Sequence, residues 1–484
     1  MHLTFPVHRH ARELARKPAL ISADGTLSYA ELDVLVWRAV GYLRDQGLRS
    51  GDTAGLAVQE PLLHLLTALA LTRMGVAYHA IPWDESTATI EVMQQAFGAR
   101  VVVRSRKIAG LDSPQIPVSI DRIRASNGTA AGGFADHPGG VWRFAKSSGT
   151  TGRPKLFAIS YANLATMMAR YRMAVPICGS DVSLVLVHLA FFAATRRIIQ
   201  DLLAGATVVL LDSTEPPRVA RVIAKAGVNR LYAGPWLLPQ LLAHPELDRS
   251  FRGISILESS GSTISSSLRR AVIERYTSGL VVNYGTNELH PLSTALGATC
   301  LSEPDTVGWP VPRGEVQIVD EALRPVGAGV VGRIRARDTN MIDGYWNDEE
   351  ATRAAFVDGW FYPGDLGAWS QTGQLLFKGR ADDMIILDGI NIFPVEIENC
   401  LMQHPTVTEA VAFGLPHSVH GGIPVAAVRA SPPPRDGELE DFCRDRIGVR
   451  YPRKVLVLPD FPRNVRGKPD KRAMARMLRI ADET

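Results

Sequence analysis

The stretch TAGLAVQEPLLHLLTALALTRMGVAYHAI, Thr53–Ile81, decides the fold. Thr53–Val58 reads as a short strand. Leu62–Met74 is apolar on every side, as a helix buried all round must be, and Gly75 stops it. Val76–Ile81 then reads as a second strand. A strand, a buried helix and a strand in immediate succession make the unit of a parallel sheet covered on both faces.

Working outward, the same alternation continues on both sides. Ser28-Tyr29-Ala30-Glu31 has the spacing of a capping box, and the helix it opens ends at Gly47. Downstream, Ala99–Val103, Asp181–Val187, Ala206–Leu211, Asn229–Tyr232, Ile254–Leu257 and Leu280–Asn283 read as strands with helical stretches between them. Ile159–Met173 is partly helical in pattern. After Pro291 the grammar changes. Up to about Lys378, glycine, proline and short β-rich pieces such as Glu315–Val319 and Gly332–Ala336 predict an antiparallel, barrel-like or meander region. From about Met384 onward, strands and helices mix again at the size of a small α+β domain. The expectation is an α/β protein: a large N-terminal domain of parallel sheets with a β-barrel-like subdomain over residues 1–381, and a small mobile α+β domain over 382–484.

Composition narrows the function. The chain has 484 residues, 46% of them hydrophobic and 21% charged, with a net charge of +4. That length calls for more than one domain. The weak charge, without a basic stripe, argues against a nucleic-acid partner. Its four cysteines are far apart, without a CxxC pair, so neither a zinc site nor a disulfide framework is expected. The amino-terminal residues carry no apolar run of signal-peptide length, and the most apolar runs are too short to span a bilayer. A cytoplasmic setting is expected.

Five short regions carry chemistry. KSSGTTGRPK, Lys146–Lys155, crowds glycines, hydroxyls and cations into one loop. Glycines let backbone N–H groups approach an anion, hydroxyls add donors, and Lys155 supplies a charge suited to phosphate. Pro154 stands where the Walker spacing would need glycine. Asn283–Glu288, NYGTNE, follows a strand, where an α/β sheet opens its ligand crevice. Tyr284 could lie flat on a base, and Glu288 offers the oxygen that Mg²⁺ prefers. In Gly359–Gly367, Asp365 could accept two ribose hydroxyls. In the following Gly379–Asp383, Arg380 could meet ribose or phosphate oxygens. Arg463–Pro469 holds Lys468 beside a glycine. The sixth match, Gly327–Gly332, fits GxGxxG but runs into a strand rather than a helix, so it is read as a turn.

Taken in order, these regions resemble the adenylate-forming superfamily, which includes acyl- and aryl-CoA synthetases, the adenylation domains of peptide synthetases and firefly luciferase. The resemblance covers nearly the whole chain, from Leu27–Leu32 to Lys468. It implies that Ser147, Ser148, Gly149, Thr150, Thr151, Gly152 and Lys155 handle the β- and γ-phosphates of ATP. It implies that Gly261, Ser262 and Thr263 meet adenine, that Tyr284 stacks on it, and that Asp365 and Arg380 hold ribose. Thr286 and Asn287 lead to the Mg²⁺ ligand Glu288. Asp382 falls at the interdomain hinge, and Gly389 where a pantetheine arm passes. Lys468 matches the lysine bridging the substrate carboxylate and the α-phosphate. The chain departs from the family pattern at Asn287 and Pro363, where threonine is usual, at Leu156 for glycine, at Tyr161 for histidine, and at Gly421-Gly422, which lacks an acid.

The expected acid pocket is Leu189–Ala194, with Phe191 or Phe192 as an aromatic gate and Gly234, Trp236 and His290–Leu292 as further lining. His188 could touch substrate, although a satisfied core histidine is the expected reading. No acid stands near Phe192 to hold an ammonium, which argues against an α-amino acid. Phe and Trp favour an apolar or aryl acid. The implied function is ATP-dependent activation of a carboxylic acid to an acyl-adenylate, then transfer to the thiol of CoA. The alternatives are a ligase that loads a carrier protein, a non-catalytic nucleotide-binding relative, and a luciferase-like adenylate oxidase.

Overall fold

The computed structural model describes residues 3–82, 85–128, 140–146, 155–339, 341–417, 419–463 and 469–483. The helix Tyr29–Asp45 begins where the sequence places it. Ser28 Oγ accepts from Glu31 N at 3.3 Å, and the Glu31 carboxylate accepts from Ser28 N at 2.8 Å, closing the capping box. The helix Pro61–Met74 starts on a proline and ends at Gly75, which takes a left-handed φ of 68°. Every residue from Leu62 to Met74 is buried, which explains its lack of a polar face.

Two largely parallel sheets form the N-terminal part. One has six strands, with Thr53–Ala57 between Val101–Arg104 and Ala77–Ala80, and Val141–Lys146 beyond. Its last pair, Val141–Lys146 with Leu156–Ser160, is antiparallel. Ile159 and Ser160 therefore belong to a strand, and the following helix is Tyr161–Ala174. The other sheet has nine strands. Its parallel centre runs through Ile256–Ser260, Arg230–Ala233, Val182–Leu186 and Thr207–Val209, with antiparallel strands at both edges.

The Gly- and Pro-rich stretch after Pro291 builds an antiparallel sheet of six strands, from Glu315–Val319 to Leu375–Arg380. The GxGxxG match does lead into a strand, Gly332–Arg337. A separate C-terminal domain follows. It has a five-stranded sheet built on the long hairpin Val407–His417/Gly421–Ala430, with the helices Pro394–Leu401, Glu438–Ile447 and Lys471–Glu483. It keeps its own apolar core, including Ile385, Ile397, Leu401, Ala426 and Val428. Asp305 ties the two parts together, accepting from Asn399 at 2.6 Å and from Lys378 at 2.7 Å. Among the described residues no helix is long and apolar enough to cross a membrane.

Candidate active site

Parallel strands bring their carboxyl ends to one edge, and side chains from different segments converge there. A cavity of about 1110 Å³ runs along this edge. Its lining includes Gly261, Ser262 and Asn287. Phe191, Phe192, Gly234 and Trp236 line the same cavity. Glycine is required at 234 because the Trp236 indole folds back over it; a Cβ there would stand 2.7 Å from the indole nitrogen. His188 also lines the cavity instead of lying in the core. His290 is not among the described lining residues; it packs behind Gly285, where burial and then Arg196, Arg197 and Arg170 push its imidazole well below the usual range. Its neutral ring belongs to the support of the site rather than to its wall.

Tyr284, Asp365 and Arg380 meet. Asp365 and Arg380 face each other across the antiparallel pair Asp365–Trp369/Leu375–Arg380. Arg380 Nη1 donates to Asp365 Oδ1 at 3.1 Å, and the Tyr284 hydroxyl donates to Oδ2 at 2.6 Å. Burial pushes the Asp365 carboxyl up, against the pull of Arg380 and Tyr284. Protein donors thus occupy one position on each oxygen, leaving about two acceptor positions of the four for a ligand's hydroxyls. Gly364 has φ 80°, and a Cβ there would come within 2.9 Å of the Arg380 guanidinium, so the turn admits only glycine. The Tyr284 ring leans on Phe377, with centroids 5.4 Å apart. Arg380 also reaches Asp382 at 3.1 Å, next to the first strand of the small domain.

Glu288 is buried, and Tyr345, which the sequence reading missed, organises it. The Tyr345 hydroxyl donates to Glu288 Oε1 at 3.1 Å, and Lys155 Nζ lies 4.7 Å from the centre of the same ring. The backbone holds this arrangement. Ile342 N donates to Glu288 O at 3.1 Å, and Trp346 N to Leu156 O at 2.6 Å. Thr286 closes the turn, accepting from Leu289 N at 3.2 Å on its hydroxyl. One tyrosine thus positions both a carboxylate and a lysine. Tyr345→Phe keeps the ring under Lys155 and removes the hydroxyl. With Glu288 as the Mg²⁺ ligand that the resemblance implies, a rise of about 10- to 100-fold in the Mg²⁺ concentration for half-maximal pyrophosphate release is expected, equivalent to one hydrogen bond to a charged group. An unchanged Mg²⁺ requirement would show that the hydroxyl does not orient Glu288.

Behind the strand leading to Gly261 lies a buried polar network. Glu258 accepts from Arg197, from Tyr171, and from Asn283 Nδ2 at 2.7 Å. At the strand's end, the Tyr232 hydroxyl and Ser260 Oγ are 3.1 Å apart. Nothing in the linear sequence pairs Arg197 with Glu258. Thr263 is exposed next to Ser262 and does not appear in the cavity wall. Gly389 sits in the exposed turn between Ile385–Leu387 and Ile390–Ile392 with φ 82°. Ser147, Ser148, Gly149, Thr150, Thr151, Gly152 and Lys468 lie outside the described residues.

For Mg²⁺, the protein offers one buried carboxylate beside a lysine. Among the described residues no group of three or more His, Cys, Asp or Glu side chains could enclose a metal. One carboxylate can hold Mg²⁺ only together with water and the oxygens of a bound anion.

With this geometry in hand, the relationships of the chain are clear. The family model described as AMP-binding enzyme matches residues 7–346, and that of the AMP-binding enzyme C-terminal domain matches 396–468. The chain belongs to the AMP-binding enzyme family, within the adenylate-forming superfamily. The putative acyl-CoA synthetase YngI of Bacillus subtilis (strain 168) is 29% identical over 341 residues, covering 67% of this chain and 61% of its own length. The 3-hydroxybenzoate–CoA ligase of Aromatoleum sp. (strain CIB) is 26% identical over 505 residues, covering 97% of this chain and 95% of the relative. The crystal structure of the anthranilate CoA ligase AuaEII in complex with anthranoyl-AMP shares the fold, with a TM-score of 0.90 at 22% identity over 100% of this chain and 98% of that one.

Proposed function

We propose that the protein is an acid–thiol ligase that uses ATP to convert a carboxylic acid to an acyl-adenylate and then passes the acyl group to CoA. The observation that carries this reading is the cluster of Lys155, Tyr345 and Glu288 beside a large cavity that Asn287 lines. Family membership and the CoA-ligase relatives support it.

A carboxylate is a poor nucleophile, and the polyphosphate repels it. The protein's task is therefore to position the two and to supply cations where charge builds up. In this reading Ser147–Lys155 wraps the β- and γ-phosphates, and Glu288 holds Mg²⁺, which screens phosphate charge when bound. Gly261, Ser262 and Thr263 receive adenine against the Tyr284 ring, and Asp365 with Arg380 fixes the ribose. Lys468 bridges the reacting carboxylate and the α-phosphate. Phe191, Phe192 and Trp236 enclose an apolar or aryl acid and keep water from the adenylate. The small domain, beginning at Asp382, turns between the two half-reactions, and Gly389 then borders the thiol path. The four cysteines are free thiols, and Cys400 and Cys443 adjoin in the core of the small domain without a disulfide, which fits a reducing cytoplasm.

The test is pyrophosphate release from Mg-ATP over a panel of aryl, short-chain and medium-chain acids, with and without CoA. Acid-dependent release that falls on the order of 10²-fold in Lys468→Ala is expected. A thioester product identifies CoA as the acceptor. Adenylate formation that CoA does not accelerate points to a carrier-protein thiol instead. No release with any acid would overturn the ligase reading.

A further inference from the structure

The strand Val141–Lys146 reads VWRFAK. Interior positions of a sheet covered on both faces take apolar side chains, and Arg143 breaks that rule. It is only 2% exposed. Its Nη1 donates to Thr195 Oγ1 at 3.0 Å and its Nη2 to the Ala190 carbonyl, so the guanidinium lies against the segment bearing Phe191 and Phe192. The guanidinium carbon stands 5.4 Å from the centre of the Tyr78 ring. No carboxylate among the described residues pairs with it.

The surroundings offer no compensating charge. His64 donates through Nδ1 to Val58 O at 2.9 Å, and His79 Nε2 meets Gln94 Oε1 at 2.6 Å. Burial, the largest influence, pushes these imidazoles down to about 3 and about 4, so both are neutral at pH 7. His64 Nε2, His79 Nδ1 and Arg143 Nε are buried without a well-aligned hydrogen bond among the described residues, and the Tyr78 hydroxyl, which faces the guanidinium, is a neutral phenol whose titration burial pushes up. Of these residues Arg143 alone lines a cavity, and a buried charge is costly unless paired.

Arg143 lines the same cavity as Phe191, Phe192 and His188. Of the carboxylates on that cavity, Glu85 pairs with Lys146 and Asp212 with Arg218, while Asp24 and Glu60 are exposed. None of them is placed to neutralise the guanidinium. The nucleotide is not the natural partner either. Arg143 precedes the last residue of its strand, Lys146, by three residues, roughly 10 Å.

We propose that Arg143 forms a subsite for a second carboxylate, so that the acid this protein activates is a dicarboxylic acid. One carboxylate would stand near Asn287 to react, and the other would pair with Arg143, both of which line the cavity. The proposal rests on the ligase reading given above and makes its substrate class specific. It modifies the expectation of a wholly apolar acid: the body of the acid stays apolar or aromatic, and its far end is charged.

The test compares matched pairs of mono- and dicarboxylic acids of equal length, both straight-chain and aryl, by kcat/KM for pyrophosphate release. The wild-type protein should favour the best diacid over its monoacid counterpart by about 10- to 100-fold, the range of a hydrogen bond to a charged group. Arg143→Gln, which can still donate to Ala190 O or Thr195, should bring that ratio close to 1. Calorimetric binding of the diacid without ATP should weaken in parallel. Equal use of both acids by the wild type, or an unchanged ratio in Arg143→Gln, would overturn the proposal and leave Arg143 as a clamp on residues 190–195. Should Arg143→Gln fail to fold, the wild-type ratio decides. If no acid of either kind releases pyrophosphate, the ligase reading fails, and calorimetry decides the subsite: diacid binding by the wild type that Arg143→Gln loses supports it, and no binding overturns it.

Discussion

Glu288→Gln is expected to lower acid-dependent pyrophosphate release by about 10²–10³-fold, the usual effect of removing one group that stabilises transition-state charge. The substitution is nearly isosteric. The amide oxygen can still accept from the Tyr345 hydroxyl, so the bond at 3.1 Å and the turn closed by Thr286 should survive. What disappears is the negative charge that would hold Mg²⁺ beside the phosphates. Thermal unfolding should therefore match the wild type while activity collapses, and excess Mg²⁺ should restore only part of it. Wild-type activity in Glu288→Gln would move the metal to another carboxylate and remove the role proposed for Tyr345. Measuring the release at several Mg²⁺ concentrations separates weak metal binding from a slow chemical step.

Glu258→Ala is expected to produce the largest loss of stability, about 3–5 kcal/mol, because it strands a buried cation. Both Arg197 and Glu258 are almost wholly buried, with side chains 4% and 7% exposed. Glu258 also receives Tyr171 and Asn283, so its removal frees three donors with no water to take them. Urea unfolding reads the loss directly as a lower midpoint at unchanged slope. The double variant Arg197→Met/Glu258→Leu should recover only part of the stability: an apolar pair of similar size removes the stranded charge, but Tyr171 and Asn283 still lose their acceptor. A loss below about 1 kcal/mol in the single variant would mean that water reaches the network.

The network also has a functional consequence. Glu258 lies in the strand that ends at Ser260 and leads to Gly261 and Ser262, while Asn283 lies in the next strand, which ends at Tyr284. Their bond ties the two strand ends that would receive adenine. A loosened Glu258 variant should therefore raise the KM for ATP before it lowers kcat.

Much of this architecture was legible without coordinates because it rests on local rules. The apolar run Leu62–Met74 could only be a buried helix, and the capping box at Ser28 forms as its spacing requires. The strands leading to Gly261 and Tyr284 were read within a few residues of their observed bounds. Ile159-Ser160 was placed in a helical pattern because a strand of five residues, Leu156–Ser160, is too short to show its period before the next helix begins. Chain position alone puts His290 in the acid pocket, yet tertiary packing turns it behind Gly285.

The sequence by itself determined the order of strands and helices, the change to antiparallel pairing after Pro291, and the residue types able to handle phosphate, ribose and a hard cation. These follow from periodicity, capping and side-chain chemistry, which act over a few residues. Only the tertiary structure decided who meets whom: Tyr345 with Glu288 and Lys155, Tyr284 with Asp365, Glu258 with Arg197, and Arg143 with the segment behind the aromatic gate. Each of those contacts joins residues dozens to nearly two hundred positions apart. Register across strands and the burial of charge, not local propensity, select them, because a charge withdrawn from water must find its partner wherever the folded chain brings one.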